Sequence, residues 1–271
     1  MKRTDKAFYR VTVESLFSLV NDRSILVSWA MDPTFQTQSF GPFTFELYRG
    51  YAKNADDFAK VAETVDQPWL YDKTPVLPQK GVDVFYRVDV IDGDGERWSS
   101  EPVSMQAYWN RYDYTIAKEI LRKERLLANH LGGAEGYLLK RRVFGPRCEE
   151  CVDPVTGKVL KANCESCYGT KIEGGYYPAL DLAIVKDPEK RLTKLDANLG
   201  TMTDVISTAR VVACPRVAAN DVWVNKYTGQ RYVVNEDIQV LASLRGADLV
   251  LGCRLTELAS SDPVYKFPVP C

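Results

Sequence analysis

Four of the seven cysteines are spaced as Cys148-Glu149-Glu150-Cys151, then twelve residues, then Cys164-Glu165-Ser166-Cys167. Nothing else in the chain constrains its folding so tightly. Two Cys-x-x-Cys turns bring four thiolates onto one tetrahedral ion, and four sulfurs at about 2.3 Å complete the coordination sphere of zinc. The segment between the pairs, Asp153-Pro154-Val155-Thr156-Gly157-Lys158, reads as a hairpin tip. Gly169 falls just past the second pair, where a tight turn is needed. The expectation is a closed zinc knuckle or ribbon holding one structural zinc per chain through Cys148, Cys151, Cys164 and Cys167. It stabilises a segment with few apolar residues of its own. Four cysteines leave no position for a catalytic water. Iron accepts the same ligands, and two disulfides would need an oxidising compartment. Cys214, Cys253 and Cys271 lack paired spacing, and the first two read as buried thiols in strands.

The chain has 271 residues and a formal net charge of −1. Bulk electrostatics therefore give no reason to expect DNA or an anionic membrane as a general partner. No stretch approaches the about 18 apolar residues of a membrane span, and no apolar signal core follows the charged N-terminus. The reading is a protein made in a reducing cytoplasm. Its single histidine, His130, lies where a helix should end, and suits helix capping better than catalysis. A non-enzymatic protein is expected, because no catalytic motif or paired acid stands out.

Residues 8–107 alternate in short runs separated by turn signals, the pattern of a β-sandwich. Residues 108–135 change to helical period. Ile116, Ile120, Leu127 and Leu131 share a stripe, interleaved with Ala117, Leu121 and Ala128, and Gly132-Gly133 ends the helix. This helix is expected to pack with the C-terminal part, or else to line a subunit interface. The knuckle is assigned to 136–180. Residues 181–262 return to short strands, with a hairpin at Tyr227-Thr228-Gly229-Gln230, and suggest a small β-barrel. The last residues, 263–271, contain three prolines and read as an extended tail able to reach a neighbouring subunit. Lys140, Arg141, Arg142 and Arg147 precede the first cysteine and are candidates for facing DNA or an interface. Glu149, Glu150, Asp153 and Glu165 dilute that charge.

Leu26-Val27-Ser28-Trp29, Phe45-Glu46-Leu47-Tyr48-Arg49, Leu70-Tyr71-Asp72 and Phe85-Tyr86-Arg87-Val88-Asp89-Val90 followed by Asp-Gly-Asp-Gly resemble a fibronectin type III domain. That resemblance implies a core tryptophan and a tyrosine packed on the sheet. It says little of function. The stretch from Gly136-Tyr137-Leu138-Leu139 through both cysteine pairs to Gly174-Gly175-Tyr176-Tyr177-Pro178 resembles structural proteins of tailed bacteriophages. Asp221-Val222-Trp223, Gly229-x-x-Tyr232-Val233-Val234 and the strand ending at Arg254-Leu255 are similar to the small barrels of head-closure and head–tail connector proteins.

The fold expectation is thus mainly β: a fibronectin type III-like sandwich, one amphipathic helix, a zinc knuckle and a small C-terminal barrel. The resemblance implies a virion neck component, assembled in the host cytoplasm, that forms a homo-oligomeric ring between portal and tail. Its partners would be itself, portal or adaptor proteins and tail proteins, with genomic DNA passing through the ring and no membrane. The sandwich would project as a collar decoration. Two alternatives stand beside it: a zinc-ribbon nucleic-acid-binding protein with a sandwich interaction module, and a baseplate or other tail structural protein.

Overall fold

A computed structural model describes residues 8–16, 24–31, 42–54, 58–74, 83–104, 111–143, 145–153, 156, 158–161, 164–187, 190–196, 200–213 and 215–270. The chain is mainly β, as its alternating patterns lead one to expect.

The N-terminal part is a two-sheet sandwich. One sheet runs β1 (Phe8–Leu16), β2 (Ser24–Met31), β5 (Trp69–Asp72). The other runs β4 (Ala59–Val65), β3 (Thr44–Gly50), β6 (Phe85–Ile91), β7 (Arg97–Ser99), and β8 (Val103–Ser104) continues beside β6. Inward positions recur every second residue, which puts Val27 and Trp29 from one sheet against Phe45, Leu47, Val88 and Val90 from the other. The Trp29 and Phe45 rings lie 5.0 Å apart. Tyr86 is fully buried and its hydroxyl donates to Asp72 Oδ2 at 2.8 Å, which also takes an Arg49 N–H at 2.6 Å. The turn between β6 and β7 forms as its sequence dictates. Asp92 Oδ1 accepts the Asp94 and Glu96 N–H groups, and Gly95 takes φ +82°.

The helix α1 (Arg111–Leu126) continues as a wider turn over Leu127–Leu131 and stops at Gly132. Its buried face corrects the sequence reading. Ala117, Leu121 and Ala128 are buried, whereas Ile116 is 49% and Leu131 67% exposed. Ala117 and Leu121 pack into the core of the C-terminal barrel, so the helix belongs with that barrel. Ala117 lets the helix approach the barrel closely, and Leu121 with part of Ile120 fills the space beside it. Arg210 and Glu124, and Arg245 and Asp113, tie it down by ion pairs.

The C-terminal part is a closed antiparallel ring. Its neighbours in order are β9 (Gly136–Leu139), β14 (Val222–Asn225), β15 (Arg231–Leu244), β16 (Ala247–Glu257) and β13 (Gly200–Val212). One run then closes it. β10 (Leu180–Asp181) pairs with β9, Ile184 bridges to Ala134, and β11 (Val185–Lys186) crosses to pair with Arg210 and Ala209 of β13. β12 (Lys190–Asp196) extends β13 as a hairpin beyond the ring.

The barrel boundaries therefore differ from those expected. Residues 136–139 are a barrel strand, and the knuckle is inserted between the barrel's first and second strands. Gly136 is needed there because a Cβ would meet the Val224 carbonyl at 2.3 Å and the Trp223 ring at 2.5 Å. Trp223 fills the interior and donates Nε1–H to the Leu182 carbonyl at 2.9 Å. A small apolar cavity of about 10 Å³ lies among Leu138, Ile184, Val211, Trp223 and Leu255, about the volume of one water.

The C-terminal tail also differs from the sequence reading. Pro263–Lys266 forms one 3₁₀ turn, N-capped by Asp262, whose carboxylate accepts the Val264 N–H at 2.9 Å. Pro263 and Val264 are buried, and Phe267 and Val269 pack on the same cluster as Tyr137, Tyr176 and Val222. The prolines prevent a strand but do not prevent docking. Among the described residues no helix is long and apolar enough to cross a membrane.

Candidate metal centre

The knuckle positions its thiols with main-chain turns, because it has almost no apolar core. Cys148 N–H donates to the Lys171 carbonyl at 3.0 Å, and Arg147 and Ile172 form an antiparallel bridge. The carbonyl of Cys151 accepts Leu160 N–H at 2.8 Å. Val152 and Val159 bridge the intervening hairpin, where Asp153 N–H donates to Lys158 O at 2.9 Å. The second turn closes when Cys167 O accepts both Thr170 N–H at 2.9 Å and Thr170 Oγ1–H at 2.8 Å. Reversing the chain there places Tyr168 at φ +51° and Gly169 at +79°. Gly175 is forced by crowding as well as by φ +64°: a Cβ would lie 2.6 Å from the Cys167 carbonyl.

The four sulfurs of Cys148, Cys151, Cys164 and Cys167 all lie within 4.8 Å of one another and all four residues are buried. Cys148 and Cys164 are 3.6 Å apart, Cys151 and Cys167 3.4 Å. A tetrahedron with metal–sulfur bonds of about 2.3 Å has edges of about 3.8 Å. A disulfide would need about 2.05 Å. The observed spread brackets the first and is far from the second, so the donor set fits one structural metal ion with four thiolate ligands.

Burial raises the Cys148 and Cys151 thiols, and the neighbouring sulfurs add to the rise at Cys151. At Cys164 burial acts the same way, yet the backbone N–H groups of Cys167 and Ser166 outweigh it and lower the thiol. Two thiols resisting deprotonation in one buried cluster is the situation that a divalent cation resolves, because the ion takes up the charge of all four thiolates.

The basic residues before the first cysteine do not form one free patch. Lys140 Nζ lies 3.0 Å from Asp221 Oδ2, donates to the Arg216 carbonyl at 2.7 Å and sits 5.5 Å from the Trp69 ring centre. Arg142 stacks 5.1 Å over Tyr177 and reaches the Tyr176 carbonyl at 3.4 Å. Arg141 gives its backbone N–H to Asp221 Oδ1 at 2.9 Å and bridges to Tyr176, while Arg147 forms the bridge already described. Lys140 thus touches both the barrel and the sandwich, while Arg142 packs within the knuckle.

Sequence reasoning missed this joint. Tyr177 is buried edge-on against Trp69 of the sandwich with ring centres 4.8 Å apart, and its hydroxyl donates to the Asp66 carbonyl. Its signal was the aromatic pair Tyr176-Tyr177 directly after two glycines. His130 is exposed in the last turn of the helix, and Cys253 is a buried barrel thiol pushed up to about 11 by burial alone. Cys214 and Cys271 lie outside the described residues.

No protein-family model matches this chain. No curated protein matches it at a significant level.

Proposed function

We propose that the protein is a non-catalytic structural component of a tailed-phage virion, placed in the neck, where it forms a homo-oligomeric ring between portal and tail with its sandwich projecting as a collar. One observation carries the reading. The barrel is closed and has the four-cysteine knuckle inserted after its first strand, so the two stretches that resemble phage proteins belong to one structural unit. The barrel interior is filled, which suits a scaffold. A scaffold that closes into a ring needs two different, complementary faces on each copy. The helix offers one, since Ile116 and Leu131 remain exposed beside Lys118 and Lys123. Zinc is the ion we assign to the knuckle, as the commonest closed four-thiolate metal of this spacing. The alternative of a nucleic-acid ribbon draws less support, because Lys140 and Arg142 already have partners within the chain.

Native mass spectrometry of the full chain, freed of nucleic acid, tests this. A ring-sized homo-oligomer with one zinc per chain is expected, and Ile116→Lys should lower its mass to that of the monomer without changing metal content. A metal-loaded monomer that binds DNA with steep salt dependence would overturn the reading in favour of the nucleic-acid module.

A further inference from the structure

The C-terminal segment lies in a groove built from two parts of the chain. The knuckle supplies one wall. Phe267 sits edge-to-face with Tyr168 at 5.1 Å and with Tyr176 at 5.7 Å between ring centres, and Lys266 pairs with Glu165. The barrel supplies the other. Arg231 of β15 is only 5% exposed and donates to the carbonyls of Val264 and Phe267, the latter at 2.9 Å. Among the described residues the Arg231 Nε–H is buried without a partner. A buried guanidinium is costly unless hydrogen-bonded. Here the partners are main-chain carbonyls of the segment, so the arginine reads peptide backbone while the two tyrosines read an aromatic side chain. Tyr265 completes the fit: its hydroxyl accepts the main-chain N–H of Arg231 at 3.2 Å and donates to the Leu258 carbonyl at 3.2 Å.

The knuckle wall depends on the metal turn. Glu165 directly follows ligand Cys164, and Tyr168 directly follows ligand Cys167 in the left-handed conformation that the turn imposes. Among the described residues the buried centre of the knuckle is Val152 beside the four cysteines. Without an ion, little remains to fix either side chain. The connection to the segment is a short exposed turn, Ala259 to Ser261. A second copy of the chain carries the same groove and the same segment.

We propose that this groove is a metal-dependent peptide site whose ligand is the segment Asp262–Pro270, held here by its own chain and exchangeable with the same segment of a second copy. The proposal goes beyond the neck assignment and does not depend on a ring.

The test uses a fluorescently labelled peptide of residues 260–270 and the full chain carrying Phe267→Ala, which weakens its own segment. Polarisation should show saturable binding to this chain in its zinc-loaded form. Binding should weaken at least tenfold after chelation. The same loss is expected in a zinc-loaded chain that combines Phe267→Ala with Tyr168→Gly, a change that retains all four ligands and suits the positive φ. This second variant separates loss of the wall from general unfolding of the stripped chain. No binding to the zinc-loaded Phe267→Ala chain would overturn exchange. Binding indifferent to both chelation and Tyr168→Gly would overturn the dependence on the knuckle.

Discussion

The sandwich and the knuckle hold their chains together by opposite means. The sandwich buries Trp29, Phe43, Phe45, Tyr86 and Trp98 in one cluster. The knuckle buries four cysteines and Val152. At about 25 cal/mol per Å² of apolar surface, the first can fold on hydrophobic burial. The second cannot, and must draw on metal–thiolate bonds and on the joints it makes with its neighbours. Stability that is spread over many side chains tolerates the loss of any one of them. Stability gathered on one ion does not.

The largest effect should come from the metal. Chelation, or Cys151→Ser, removes a contribution that in small zinc modules is about 10–16 kcal/mol of binding free energy. Amide exchange should then accelerate sharply across the knuckle, around Arg147, Leu160 and Thr170, while the Trp29 and Phe45 strands stay protected. Equal loss of protection in both regions would erase the contrast and show that the sandwich folds only upon a formed knuckle.

The complementary cut is Phe45→Ala. Its side chain is fully buried, and truncation of such a residue costs about 3–5 kcal/mol. That is a large share of the roughly 5–15 kcal/mol stability of a typical domain. The sandwich melting transition should fall by several degrees at the least. Metal content measured by native mass spectrometry should stay at one ion per chain. Loss of the ion in this variant would mean that the Trp69–Tyr177 joint couples the two regions too strongly for them to be treated as separate.

How much of this was legible in the sequence follows from the same contrast. Alternation exposed the sandwich strands because one face of each meets a core, and the cysteine spacing exposed the metal site because ligand geometry tolerates few spacings. The barrel strand Gly136–Leu139 was not legible. It is short, apolar on both sides and led by a glycine whose purpose, room for Trp223, exists only after folding. The C-terminal end of the helix was legible from Gly132-Gly133, but which part of its apolar stripe is buried was not. Hydrophobicity favours Ile116 and Leu131 for the inside as much as Leu121, whereas packing on the barrel takes up Ala117 and Leu121. The tail misled because proline reports on backbone pairing and is silent on a cradle made by Arg231, Tyr168 and Tyr176.

The smallest expected effect concerns pH and belongs to the sandwich alone. Glu46 on β3 is held below its ordinary value chiefly by its hydrogen bond with Lys60, then by Tyr48 and Arg97, against an opposing cost of burial. A carboxylate lowered in the folded state contributes stability that is fully present above its unfolded value, about 4.3. That contribution is lost as pH falls through the lower folded value. The melting temperature of the sandwich should therefore decline below about pH 4.3, and Glu46→Gln should flatten that decline while lowering stability slightly at neutral pH. Lys60 and Arg97 are substantially exposed, so solvent screening keeps the effect small and added salt should shrink it further. The knuckle loses its metal over acid pH by a separate route, proton competition for thiolates. The slope that Glu46→Gln removes is thus the part of acid sensitivity owed to Glu46, and an unchanged slope in that variant would assign it to the metal and to the other paired carboxylates of the sandwich, Asp72 and Asp89.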